Sequence, residues 1–188
     1  MADLTTLSDL KLWLQIDPAN TSQDALLTDL IHSASDYIQS FLNRTIAQQL
    51  YSEARDGSGA GQDVMMFANY PVSAVSSLAI NGQAIPPSPD GIQPGFLFDS
   101  TRLVLVGCQY EFCRGHMNCL VSYTAGYATT PSEIQRACNE MVGLRFKNKD
   151  RIGLNSKTLA NEVITFTQSD MTESIKIALA SYMKVIPV

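Results

Sequence analysis

The sequence lacks any apolar run near the ~20 residues that a membrane-spanning helix requires. Its apolar runs, such as Leu103 to Val106, are far shorter. It also lacks a basic surplus, since 13 Lys plus Arg against 18 Asp plus Glu leave a net charge of −5. Nucleic-acid readers take most of their affinity from counterions released by phosphate contacts, so this balance argues against that class. Only two histidines occur, His32 and His116, and His32 reads as a packed or surface residue of a helix. No Gly-x-Ser-x-Gly elbow is present, which removes support for acyl transfer by that arrangement. The glycine-rich run from Asp56 to Asp63 has neither the lysine nor the following helix of a phosphate loop. It also lacks the carboxylate spacing of a calcium loop and reads as a hairpin turn. The opening Met1-Ala2-Asp3-Leu4 shows no basic stretch followed by an apolar one, so a cytosolic product is expected. No catalytic residue and no cofactor is expected.

Apolar material is plentiful. Of 188 residues 45% are hydrophobic and 16% charged, a folding composition rather than a disordered one. A chain of this length buries roughly 70% of its unfolded surface and needs no disulfide or metal to hold a core.

The first fifty residues read as two helices. Thr6-x-x-Asp9 has the form of a capping box, followed by Leu7, Leu10, Trp13 and Leu14 on one face. Asp17-Pro18 stops this helix, because proline disfavours helical geometry in the residue before it. A second box, Thr21-x-x-Asp24, opens a longer helix with an apolar stripe running from Leu27 through Ile31, Ala34, Tyr37 and Ile38 to Leu42.

From about Leu50 the pattern changes to short β-rich runs between turn residues. Val64 to Phe67, Ala74 to Ile80, Arg102 to Val106 and Asn118 to Tyr123 are strand candidates. Asn81-Gly82 marks a tight hairpin, because both central residues must take positive φ. Helix returns at Thr130-Pro131-Ser132-Glu133, with Thr130 as a hydroxyl cap, Pro131 at the first helical position, and Ile134, Ala137, Cys138, Met141 and Val142 as its stripe. A short strand is expected from Val163 to Thr167, and Asp170-x-x-Glu173 opens a last helix. The expected class is α+β: a mainly α-helical bundle built from both chain ends, with an inserted small antiparallel β-sheet or sandwich. The boundaries fall at 1–49 for the N-terminal helices, 50–126 for the β-rich insertion and 127–188 for the C-terminal helices.

Cys108, Cys113, His116 and Cys119 form a Cys-x4-Cys-x2-His-x2-Cys run. Four such ligands within twelve residues are enough for a tetrahedral zinc site, although the spacing matches no familiar zinc pattern. A zinc- or nucleic-acid-binding module is therefore the alternative function. The competing reading is reduced, partly buried cysteine.

Two stretches carry a family resemblance. The first is Leu7-x2-Leu10-Lys11-x2-Leu14-x-Ile16-Asp17 with Asp24-x-Leu26-Leu27-x2-Leu30-Ile31-x2-Ala34-x2-Tyr37-Ile38-x3-Leu42-Asn43-Arg44. The second is Val121-x-Tyr123-x-Ala125-Gly126-Tyr127 before Pro131-x2-Ile134-x2-Ala137. Together they resemble the head–tail connector proteins of long-tailed bacteriophages, the adaptor of the neck beneath the portal. Coverage is nearly the full chain, weakest over 86–118, and the clustered cysteines do not belong to the pattern.

The resemblance implies a structural protein of the virion neck, made in the host cytoplasm, which forms a homo-oligomeric ring, commonly twelve-fold, around the DNA channel. One side docks on the portal protein and the other receives a head-closure or tail-completion protein. The C-terminal region contacts the portal, here Ile175, Leu179, Tyr182, Met183, Lys184 and Val185. A closed ring needs two different complementary patches on each copy. Residues 1–50 carry a net charge of −4 and 145–157 a net of +4. Asp24, Asp29 and Asp36 against Arg145, Lys147, Lys149 and Arg151 are thus the candidate subunit interface. DNA is expected to pass through the lumen without specific binding.

Overall fold

The computed structural model describes residues 2–59, 61–149 and 171–184, together with the backbone of 156–159 and 162–165. The chain divides into two compact units, Met1–Ile46 with Thr129–Lys184, and Ala47–Ala128.

The first unit contains α1 (Leu7–Leu14), α2 (Asp24–Leu42), α3 (Ser132–Asn148) and α4 (Glu173–Ala180). It also holds a hairpin of β8 (Ser156–Leu159) and β9 (Glu162–Thr165). Half of the box at α1 forms: Thr6 Oγ1 accepts from the Asp9 N–H at 3.2 Å, while the Asp9 carboxylate takes the Thr6 hydroxyl at 2.6 Å rather than the Thr6 N–H. The helix ends on Gln15 in the left-handed region, φ 57°, where its N–H returns to the last turn. Leu27, Ile31, Ala34, Ile38 and Leu42 give α2 a buried stripe, and α2 packs on α3 through that helix's Ile134, Cys138 and Met141.

Two expected caps do not form. The residue before α2 is Gln23, with no side-chain cap, and Pro131 rather than Thr130 precedes α3. Asp24 is engaged elsewhere. The Lys11 ammonium meets Asp24 Oδ1 at 2.6 Å and donates to the Asn20 and Pro18 carbonyls at 2.9 and 3.3 Å. Lys11 is only 5% exposed, so one buried cation ties the α1–α2 connection together.

The second unit is a β-sandwich. One sheet has the order β1 (Gln49–Gly57), β7 (Gly115–Ala125), β3 (Val72–Ile80) and β4 (Gln83–Ile85). The other has the order β2 (Val64–Met66), β6 (Arg102–Val106) and β5 (Gly95–Phe98). All pairs are antiparallel. Asn81 and Gly82 take φ 51° and 80°, the hairpin turn between β3 and β4. The glycine-rich run instead links β1 to β2, which lie in different sheets, so it is not a hairpin turn. Phe96, Leu103 and Leu105 of one sheet share a core with Leu78, Val121 and Tyr123 of the other, and the Phe67 and Tyr123 rings stand 4.6 Å apart.

The register fixes what each sheet turns outward. On the four-stranded sheet, Ala54, Leu120, Ala79 and Ala84 form one cross-strand row. Ser52, Ser122 and Ser77 form the next, and Leu50, Thr124 and Ala74 the third. On the three-stranded sheet, Val64, Val104 and Leu97 lie in one row.

The expectation of a mainly helical bundle is not met, because helix is about 33% and strand about 29%. Much of the unforeseen strand is β1. Its inward positions are Tyr51, Glu53 and Arg55, and the two charges hide the alternation that marks a strand. They are tolerated because they are partnered. Tyr123 donates to Glu53 Oε1 at 2.6 Å, and Arg55 donates to Glu53 Oε2 at 2.9 Å and to the Met66 carbonyl at 2.7 Å.

Burial, reinforced by the bond to Glu53, pushes the Tyr123 phenol up to about 12. A tyrosine ordinarily ionises near pH 10, so below that both folded and unfolded states are protonated and the contribution is complete. Between pH 10 and 12 the unfolded phenol ionises first, and stability is expected to fall by about 1.4 kcal/mol per pH unit at most. Denaturant titrations of wild type and Tyr123→Phe across that window test this, because the substitution should remove this component of the slope.

Candidate interaction surfaces

The C-terminal helix has two distinct faces. Thr172 caps α4 by accepting from the Ile175 N–H at 3.3 Å, and α4 packs on α3. Ile175 and Leu179 are buried at 1% and 0% exposure. A partner cannot reach these two side chains while α4 stays in place. Tyr182 donates to Glu133 Oε2 at 3.0 Å, and the Lys184 N–H bonds the Leu42 carbonyl at 3.1 Å, so the chain from Ser181 to Lys184 stays on this unit. Val185 lies outside the described residues. Ile177 is 75% exposed and Met183 44%. Ile177 went unnoticed in the sequence, although a visible signal exists: it stands two residues from Ile175 and two from Leu179, out of phase with the buried stripe.

The charged candidates are placed unevenly. Asp29 and Asp36 are exposed on α2, while Asp24 is held by Lys11. Arg145 donates to Ser33 Oγ at 3.0 Å and sits 5.6 Å from the Tyr37 ring. Ser33 lies four residues after Asp29 and three before Asp36, the spacing that puts all three on one helix face. Arg145 is therefore brought onto the acidic face of its own chain. Lys147 is exposed, and Lys149 lies 4.7 Å from the Phe146 ring. Arg151 lies outside the described residues.

The cysteine run does not converge. Cys108 is exposed, Cys113 half-buried and Cys119 buried, where burial pushes its thiol up. His116 is exposed and pairs with Asp56 at 3.1 Å. The Met117 N–H and then His116 hold the Asp56 carboxyl below its usual range. Among the described residues no three His, Cys, Asp or Glu side chains are gathered as metal ligands. The residue that organises this end of the sandwich is Asn118. It bonds the Gly57 N–H at 2.8 Å, the Cys113 carbonyl at 2.9 Å and Asn81 Oδ1 at 2.9 Å, joining three loops. Burial also pushes the Cys138 thiol, in the helical core, up to about 11.

A family model described as head completion protein matches residues 3–185. No curated protein sequence matches the chain. Among solved structures, the fold is similar to a chain in the neck of an empty gene transfer agent particle computed with C6 symmetry, at TM-score 0.56 and 12% identity. That match covers 100% of this chain and 96% of the other. A chain from the virion of the native particle matches at TM-score 0.55 and 14% identity, with the same coverage. One from the native neck computed with C12 symmetry matches at TM-score 0.51 and 12% identity.

Proposed function

The chain belongs to the head completion protein family and serves as a structural head–tail connector, and from that premise we propose how it is placed and held. Copies form a closed ring in the virion neck, beneath the portal protein, which lengthens the DNA channel. A head-closure or tail-completion protein takes the opposite side. The modest net charge of −5 suits a conduit that lets phosphates slide rather than gripping them.

The observation that carries the docking side is the exposed apolar pair at the C-terminal end, Ile177 at 75% and Met183 at 44%. Ile175 and Leu179 seat α4, and Ile177, Tyr182, Met183 and Lys184 face the portal. Ile177→Asp is expected to weaken capture by the cognate portal about 100-fold, as loss of an interface anchor does. The melting temperature should hardly change, because the residue is exposed. Capture at wild-type affinity in a pull-down removes α4 from the docking surface.

Electrostatic attraction between copies is left to Lys147, Lys149 and Arg151 of one copy and Asp29 and Asp36 of the next, since Asp24 and Arg145 have partners within the chain. Such exposed pairs are screened by salt and set register more than affinity.

A further inference from the structure

Nine asparagines occur in the chain, and Asn81 alone is followed by glycine. That order carries a reaction of its own. The backbone nitrogen of the second residue attacks the asparagine Cγ, expels the side-chain nitrogen as ammonia and closes a five-membered imide. Water then opens either carbonyl of the ring, leaving aspartate or iso-aspartate, in which the main chain runs through the former side chain. One amide and one water become one carboxylic acid and one ammonia, so the step needs no oxidant or reductant. Glycine favours it because no Cβ shields the attacking nitrogen, and a Cβ built at Gly82 would meet nothing within 4 Å.

The reacting groups are unencumbered. Asn81 and Gly82 are both exposed. Among the described residues nothing accepts from the Gly82 N–H or from Asn81 Nδ2, the nitrogen that would leave. Two aspartates also precede glycine, at Asp56-Gly57 and Asp90-Gly91, and they are different cases. The Met117 N–H at Asp56 and the Gln93 N–H at Asp90 hold these carboxyls below their usual range. They stay ionised and repel a nucleophile, and the Gly57 N–H is already taken by Asn118 Oδ1 at 2.8 Å.

What holds the reaction off is the turn. Asn81 and Gly82 take φ 51° and 80° between Ile80 and Gln83, the pair that closes the β3–β4 hairpin, which is the type I′ arrangement. Such a turn sets ψ of its first central residue near about +30°, leaving the next nitrogen on the far side of the Cα–C bond from Cβ. Attack on Cγ needs that nitrogen swung onto the Cβ side, a rotation the closed turn does not allow. Two bonds resist it. The Asn81 N–H donates to the Asn118 carbonyl at 2.9 Å, and Asn118 Nδ2 donates to Asn81 Oδ1 at 2.9 Å. The orientation of Asn118 is fixed independently, because its Oδ1 accepts from the Gly57 N–H and its Nδ2 donates to the Cys113 carbonyl at 2.9 Å.

We propose that Asn81 is a self-modifying site of this chain and that Asn118 is its guard. The amide survives while this clasp is closed and converts when the end of the sandwich opens. The conversion runs one way. Aspartate adds a negative charge to the turn. Iso-aspartate lengthens a two-residue turn by one main-chain atom, so Gln83–Ile85 loses its register with Leu78–Ile80, and Ile85, buried at 5% exposure, loses its seat. Each copy thereby keeps a chemical record of having opened there.

The test is peptide mass spectrometry of the full chain during incubation in mildly alkaline buffer, folded and, in parallel, unfolded in urea. In the unfolded chain the peptide containing Asn81 should convert before that of any other asparagine. In the folded chain the same conversion should be at least about 10-fold slower, because it waits on local opening. Asn118→Ala should speed the folded chain about 5-fold, the worth of one such bond. Asn118→Asp, which keeps an acceptor for Gly57 but has no donor for Asn81, replaces it if the alanine variant loses its melting transition. Earlier conversion at another asparagine in the unfolded chain denies the site. Equal rates in the folded and unfolded chain, or a folded Asn118 variant that converts no faster than wild type, deny the guard.

Discussion

Leu179→Asp is expected to unfold α4 and cost on the order of 5 kcal/mol of stability. Leu179 has 0% exposure. Truncating a leucine in such a site costs about 2–5 kcal/mol, and burying a carboxylate among apolar neighbours adds to that. With eight residues, α4 is too short to persist without its packing. The loss should be read as a lower unfolding midpoint by circular dichroism, and it should abolish portal capture only because the helix is gone. Ile177→Asp should separate the two effects by losing capture without losing the fold. An unchanged midpoint for Leu179→Asp would mean that α4 does not rest on α3 as described.

Glu53→Ala is the second large effect, expected to cost about 3 kcal/mol. Glu53 is the acceptor at the centre of a polar group inside the sandwich. It takes the Tyr123 hydroxyl at 2.6 Å, Asn69 Nδ2 at 2.9 Å and the Arg55 guanidinium at 2.9 Å. Its side chain is 18% exposed and that of Arg55 27%. Removing the carboxylate leaves a largely buried guanidinium unpaired and a fully buried phenol without its acceptor, which costs more than the pair itself contributes. A double-mutant cycle with Arg55→Ala should show positive coupling, since the second substitution removes the charge that the first stranded. Additive effects would mean that Glu53 and Arg55 do not act together.

The helical ends were open to reading because their side chains follow one rule. The 3.6-residue stripe of α2 is uninterrupted from Leu27 to Leu42, and α3 repeats it. Asn81-Gly82 and the Leu103-Val104-Leu105 run likewise say locally what they become. The misreadings have physical causes. β1 carries Glu53 and Arg55 inward, where only the fold supplies their partners. β5 starts at Gly95, directly after Pro94, and is only four residues long, too short for any period to show. Thr21 and Asp24 spell a capping box, but Lys11, on the preceding helix, takes the carboxylate. At α4 the resemblance implies docking through Ile175 and Leu179 among others, whereas these two lie on the stripe that the helix buries. The out-of-phase Ile177 is the exposed one. The cysteine run was chemically suggestive in one dimension and is dispersed in three.

The central claim is that this chain joins head to tail at one vertex of a particle. The measurement that addresses it most directly is electron microscopy of purified particles whose copies of this chain carry a gold-labelled tag. The account predicts label at the neck of each particle and nowhere else. Label spread over the shell or at the distal end of the tail, or purified particles without this chain, would contradict it.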